Sequence, residues 1–496
     1  VIISKMYGIA DPVLNLGVPD KLQDMGYQVL PFFDLPDVAD MSKEHPNMFW
    51  PFGQHILEPA YLIREHPNMY PVLLTHHGCG PDSVLLHYFK EIMGNKPYLN
   101  IEIDEHASKI GVTTRIEAFV NSLKVKKDTA PKDLNYYIKK INYKKVNIKS
   151  SLDEINPGSK IYIPNLHPYS ELFAELLQQK GFNPEILATD AKAISTGRKH
   201  TLTNEYYSLA SLLGGSINAV EQCWGEKDVA FLIPQTEGAE VEGQYHRMLR
   251  TKFDTYGHKD VEIVAPFLED VISLDESELR NIFYGILAGD IVNAAPVGER
   301  DKYLSQFSVL IRDKKLDISA LTTIAGNVYG DQKKQHYNKR VMAIGEPMIV
   351  FNDFLNDFTF KTLEEQDNKV VYGVLSEAVW IFWKDYVTQN NQLNSEDLTS
   401  KLAGLKDDID QVSLLLKEES PFTPGIESLV GKADTTIGYY AGAFARYRQA
   451  KVLCNSVNID GIITAASLYE NTGVSLSILH KGFSDRSTKP LLNLNF

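Results

Sequence analysis

Short apolar runs alternate with stretches of helical spacing along most of the chain. Val72, Leu73 and Leu74 read as a buried strand, and Gly78 and Gly80 permit a tight turn after it. Pro81 then suits the first position of a helix through "PDSVLLHYFKEIM". "YQVLPFFDLP" reads as an earlier strand and "KPYLNIEIDEH" as a later one. "SKIYIPNLHPYSELFAELLQQKGFNPEIL" repeats the strand, helix, strand order, and "DVAFLIPQTEGAEVEGQYHRMLRTKF" with "VEIVAPFLED" adds two strands around a helix. The same order returns in "RVMAIGEPMIVFNDFLNDFTFKTLEEQDNKVVYGVL" and in "AKVLCNSVNIDGIITAASLYENTGVSLSIL". This alternation predicts an α/β fold: several Rossmann-like units with parallel sheets and crossover helices.

Three units follow from the pattern, at 1–123, 159–337 and 338–496. The lysine-rich stretch 124–158 between the first two reads as a linker with one exposed helix, or as a basic arm that docks a partner. A net charge of −14 over 496 residues argues against a broad nucleic-acid surface, which needs clustered Lys and Arg. Apolar stretches are interrupted well short of a membrane span, so no membrane association is expected. No basic segment precedes an apolar core at the start, so there is no signal peptide to read. The 3 cysteines, Cys79, Cys223 and Cys454, are too few and too scattered for a disulfide framework and fit the reducing cytoplasm.

Open α/β sheets place ligands at the C-terminal ends of their strands. Three polar clusters fall there. The first holds His76, His77 and Cys79, with the thiol set between a strand and the positive end of a helix, where thiolate is favoured. The second holds Glu102, Asp104, Glu105 and His106. The third holds Glu237, Glu240, Glu242, Gln244, Tyr245 and His246 around two glycines. Helix capping and solvated edges account for such acidic groups equally well. Cys454 sits at the end of an expected strand, as a metal ligand or as packing. "GIESLVGKAD" is no phosphate loop: its glycines are one residue too far apart, and Ala433 stands where a hydroxyl is needed.

The segment Trp50 to Leu123, with "HGCGPDS", "KPYLNIEIDEH" and "GVTTRIEAF", resembles the large acyl-CoA dehydratase activase-related proteins, relatives of the 2-hydroxyacyl-CoA dehydratases. "PQTEGAEVEGQYHRMLR", "IVAPFLED" and "IGEPMIVFNDFLNDFTFKTLEEQ" extend the likeness. The resemblance implies dehydratase-like α/β domains holding a [4Fe–4S]-type iron–sulfur cluster through cysteines. It also implies a place downstream of an actin-like ATPase activase, an acyl-CoA substrate, and electron transfer at low potential of the kind used in anaerobic metabolism. Carried over, Cys79 is the leading cluster ligand; Cys454, from its place after an expected strand, is the candidate second, and either a homodimer giving two thiolates from each chain or carboxylate and histidine completes the shell. The sequence departs from the pattern at two places: Tyr206 stands where relatives often carry cysteine, and Glu240 where some do. Three functions remain open: an iron–sulfur component, a cluster-less scaffold that docks the ATPase, and a metalloenzyme using Cys79, His76 or His77 with Asp104 or His106.

Overall fold

A computed structural model describes the chain except residues 46–47, 77–79, 105, 124–131, 144–145, 202–204, 224, 237, 239, 390–395, 439–442, 455–457, 480–481 and 483–488. The chain divides into two compact units, Val1–Val146 with Leu202–Glu205, and Asn147–Thr201 with Tyr206–Phe496. Three parallel sheets fall one in each of the stretches that the hydrophobic pattern separates, and the second and third sheets share the larger unit.

The smaller unit is built on β1 (Ile2–Ile3), β2 (Val72–His76) and β3 (Leu99–Ile103), paired in parallel in that order. Every residue of β2 is buried, as expected of a central parallel strand covered on both faces. Ile2, Val72, Leu74 and Ile101 form the core with Ile116 from helix Lys109–Leu123. Helices Pro51–Glu65 and Gly80–Met93 also belong to this unit and pack on each other. "YQVLPFFDLP" does not form a strand. Pro31 lacks an N–H and makes only an isolated bridge with Ile2, and a 3₁₀ turn follows at Phe32–Asp34. Within the linker stretch, residues Leu134–Ile138 form a short helix, capped by Asp133, whose side chain accepts from Asn135 N.

The larger unit carries two four-stranded sheets. β4 (Lys160–Ile163), β5 (Asn183–Ile186), β6 (Val229–Leu232) and β7 (Glu262–Val264) pair in the order β5-β4-β6-β7. β8 (Arg340–Gly345), β9 (Lys369–Tyr372), β10 (Gly461–Ala466) and β11 (Leu491–Asn495) pair in the order β11-β10-β8-β9. All these pairings are parallel, so each sheet is Rossmann-like. In each, the chain leaves a central strand to one side and returns on the other, which opens a crevice beyond the C-terminal ends of β4 and β6 and of β8 and β10.

Long helices fill the space between the sheets' sequences. Glu276–Ala294 starts at Asp275, whose side chain accepts from Ser277 N and Glu278 N, and Ile318–Gln332 starts at Asp317, which accepts from Ala320 N. With Leu375–Gln389 and Glu396–Leu416 they bury Phe283, Leu287, Ile291, Trp383 and Ile409 in the largest apolar core. Cys454 belongs to that core. It follows helix Ala443–Leu453 and is not at the end of a strand, contrary to the sequence expectation. Among the described residues, no helix is long and apolar enough to cross a membrane.

Candidate functional site: a buried carboxylate chamber

Both crevices of the larger unit are lined by glutamates. β8 ends at Gly345, where a side chain is excluded: a Cβ there would lie 1.8 Å from the Ala465 carbonyl oxygen of β10. That close approach places Glu346 next, immediately before helix Pro347–Val350. β10 ends at Ala466, and Ser467 and Glu470 follow, with Glu470 at the position before helix Asn471–Ile478. After β6, Glu240 precedes the 3₁₀ turn Val241–Gln244, which contains Glu242, and Tyr206 precedes helix Tyr207–Gln222. Four acceptor-bearing side chains thus stand at the positive ends of helical turns, where backbone N–H groups favour negative charge.

These residues meet. One carboxylate oxygen from each of Glu240, Glu242 and Glu470 lies within 4.8 Å of the others. Thr472 Oγ1 donates to Glu240 Oε1 at 2.6 Å. Gly473 N and Arg448 Nη1 donate to Glu470 Oε2 at 2.5 and 3.0 Å. Ser467 N donates to Glu346 Oε2 at 2.8 Å. The second oxygens, Oε2 of Glu240, Oε1 of Glu346 and Oε1 of Glu470, and Oε2 of Glu242 as well, are buried and receive no donor from the described residues. Glu346 and Glu470 are 0% exposed, Glu240 8% and Arg448 2%. Tyr206 is buried beside them, its hydroxyl accepting from Asn471 N at 3.0 Å. Tyr245 reaches the same wall through Ser208, hydroxyl to hydroxyl at 3.2 Å.

Electrostatics follow from the crowding. Burial, and then the charge of Glu470, push the Glu240 carboxyl up to about 8. Burial and the neighbouring Glu240 and Glu346 raise Glu242, and burial with Glu470 raises Glu346. The Tyr206 and Tyr245 phenols are raised well above their ordinary range by burial and by the carboxylates around them. For Arg448, burial works against the charge but Glu470, Glu240, Glu242 and Glu346 outweigh it. Four carboxylates face one guanidinium. Such a set shares protons or takes up a hard, oxygen-seeking cation.

An iron–sulfur cluster asks for thiolates, and the chamber offers oxygen. Among the described residues, Glu240, Glu242 and Glu470 are the single group of three or more potential ligands, and no cysteine joins it. Cys454 is in the apolar core. Cys223 follows helix Tyr207–Gln222, with its Sγ 2.9 Å from the Tyr162 hydroxyl and 3.5 Å from Lys160 Nζ. Cys79, His77, Glu105 and Glu237 lie outside the described residues.

The remaining expected site residues divide between the two units. His76 ends β2 in the smaller unit, its Nε2 3.2 Å from the Leu14 carbonyl and its ring edge-on to Tyr7. Asp104 Oδ1 accepts from His106 N at 2.9 Å, a turn beyond β3. Glu240 and Tyr245 belong to the chamber, and Gln244 is buried between them in sequence. The sequence reading missed Glu346, Arg448 and Glu470. The available signal was a glutamate just ahead of the helix that follows each strand, in "AIGEP" and "ASLYENTG". A small apolar cleft is lined by Ile344, Pro347, Val350, Phe351 and Phe444 together with Arg448. No family model and no curated protein matches this chain.

Proposed function

We propose that this chain is a cluster-free relative of the acyl-CoA dehydratase and activase-related proteins, which performs non-redox chemistry on a small molecule at the carboxylate chamber. The observation that carries this reading is the meeting of Tyr206 and Glu240. These are the two positions where the resemblance calls for cysteine, and they lie in one chamber with Glu470. A site that has exchanged soft sulfur donors for phenol and carboxylate has lost the ligands of a cluster and gained groups for proton transfer or hard-cation binding. In the metal-free protein the Glu240 carboxyl, held near 8, is suited to give or take a proton close to neutrality.

The deciding experiment measures iron and acid-labile sulfide per chain after strictly anaerobic purification and after reconstitution, together with the visible spectrum. A colourless protein without sulfide supports the reading. Iron with matching sulfide and broad visible absorption would instead restore the iron–sulfur component, with Cys79 as its first ligand and a second chain supplying others.

A further inference from the structure

We infer that Glu240, Glu242 and Glu470 hold one hard divalent cation of the Mg²⁺ or Mn²⁺ class, with Glu346 beside it. The inference rests on the reading that the chamber is the working site, and it adds what occupies that site.

The first argument is the orientation of the carboxylates. Glu240 has one oxygen fixed by Thr472 and Glu470 has one fixed by Gly473 N and Arg448; the two carboxyls face each other, and among the described residues no other donor reaches their second oxygens. Outer donors that hold one oxygen and leave its partner free are how proteins aim carboxylates at a metal. The second argument comes from outside the three ligands. Glu346 is 0% exposed, Ser467 N holds its Oε2, and its Oε1 receives no donor. Glu346 follows β8 and Glu470 follows β10, its hydrogen-bonded neighbour, and Ser467 N of the Glu470 turn holds the Glu346 carboxylate, which puts Glu346 beside the three ligands. A buried oxygen without a donor is costly, and a cation among the four would relieve that cost.

The separation fits as well. Ligand atoms within 4.8 Å of one another are near enough that a small inward shift of the carboxylates brings them to the roughly 2.0–2.6 Å typical of oxygen coordination around one ion. An all-oxygen, carboxylate-rich set prefers magnesium or manganese to the softer metals that seek thiolate or imidazole. The Arg448–Glu470 pair belongs to the outer layer and leaves the negative charge in excess.

The test uses the full chain stripped with chelator and titrated with Mn²⁺, following loss of the free-ion signal by electron paramagnetic resonance. One Mn²⁺ per chain is expected, competed by Mg²⁺. Glu470→Gln and Glu240→Gln should each weaken binding by tenfold or more. Thr472→Val, which touches no metal directly, should weaken it about 10–100-fold through the freed carboxylate. Glu276→Gln, at an exposed salt bridge, should bind as the unaltered chain does. Circular dichroism on each variant separates lost binding from lost fold, and Thr472→Val keeps the test alive where a glutamate variant fails to fold. No Mn²⁺ uptake, or uptake unchanged by Glu470→Gln and Thr472→Val, overturns the cation site. Failure of this inference is distinct from failure of the functional reading: iron with sulfide would defeat the latter, whereas a colourless chain that ignores Mn²⁺ defeats only the cation.

Discussion

Arg448 Nη1 lies 3.0 Å from Glu470 Oε2, so a guanidinium from helix Ala443–Leu453 meets a carboxylate at the start of helix Asn471–Ile478, both buried. The pair joins two helices beyond the C-terminal ends of the paired strands β8 and β10. Removing one member leaves the other as an uncompensated buried charge. Arg448→Met should therefore destabilise the metal-free protein by about 3–5 kcal/mol in denaturant titrations. Adding Glu470→Gln to Arg448→Met should recover part of that loss, because the two changes act on one interaction. Strict additivity of the two variants would show that the pair is not coupled.

Asp290 gives the stability a defined dependence on pH. Its carboxylate accepts from Tyr169 Oη at 2.7 Å, Leu375 N at 2.9 Å and Ser376 N at 3.0 Å, yet burial pushes it up to about 6. A carboxyl raised in the folded state favours the protonated form there. Its contribution is complete below the ordinary carboxylate range, is lost as pH rises through about 6, and stays flat beyond. The span is of order 3 kcal/mol at ~1.4 kcal/mol per unit. Asp290→Asn should remove that part of the slope of denaturant midpoint against pH. An unchanged slope would assign the dependence elsewhere, Asp385 being the next group that burial raises to about 6.

Two glycines set the distance between helices Ala191–Arg198 and Tyr207–Gln222. A Cβ at Gly214 would sit 1.7 Å from the Ala193 carbonyl oxygen, and one at Gly197 would sit 1.8 Å from that of Ala210. Backbone cannot yield as a flexible side-chain end does. Gly214→Ala should cost about 3 kcal/mol or more, and it should also disturb Tyr206 at the head of the second helix. Gly330, in helix Ile318–Gln332, meets nothing within 4 Å. Gly330→Ala should stabilise by about 0.5–1 kcal/mol. Thermal melts of the two variants should move in opposite directions, and a common direction would refute the packing argument.

Strands were the most readable part of the chain, for a physical reason. Parallel strands covered on both faces are short unbroken apolar runs, and "PVLLTHHG" and "DVAFLIP" stand out against polar turns. The helix Glu276–Ala294 carries no such mark, since burial of Tyr284, Gly285, Asp290 and Asn293 beside its apolar residues blurs any single stripe. The chamber was half legible. Glu240 and Tyr245 share a polar cluster after one strand, but Glu346 and Glu470 arrive from strands far along the chain. Only the order β11-β10-β8-β9, which a single sequence does not state, brings their two turns side by side.

Lys451 and Glu377 form a second buried pair, deep in the same unit, at 1% and 0% exposure. Lys451 Nζ donates to Glu377 Oε2 at 2.7 Å, to Thr423 Oγ1 at 2.8 Å and to the Pro421 carbonyl at 2.9 Å. Thr423 N donates in turn to Glu377 Oε1. The network fastens helix Leu375–Gln389 to helix Ala443–Leu453 and to the loop that follows helix Glu396–Leu416. Lys451→Met leaves Glu377 charged without its counter-ion and should cost about 3–5 kcal/mol. Combining it with Glu377→Leu removes both charges and should cost much less than the single change. At the surface the arithmetic differs: Lys315 and Asp313 form a solvent-exposed pair, and Lys315→Met should change stability by less than about 1 kcal/mol. If Lys451→Met and Lys315→Met shift the unfolding midpoint equally, burial does not govern the strength of these pairs here, and the argument made for Arg448 and Glu470 loses its basis as well.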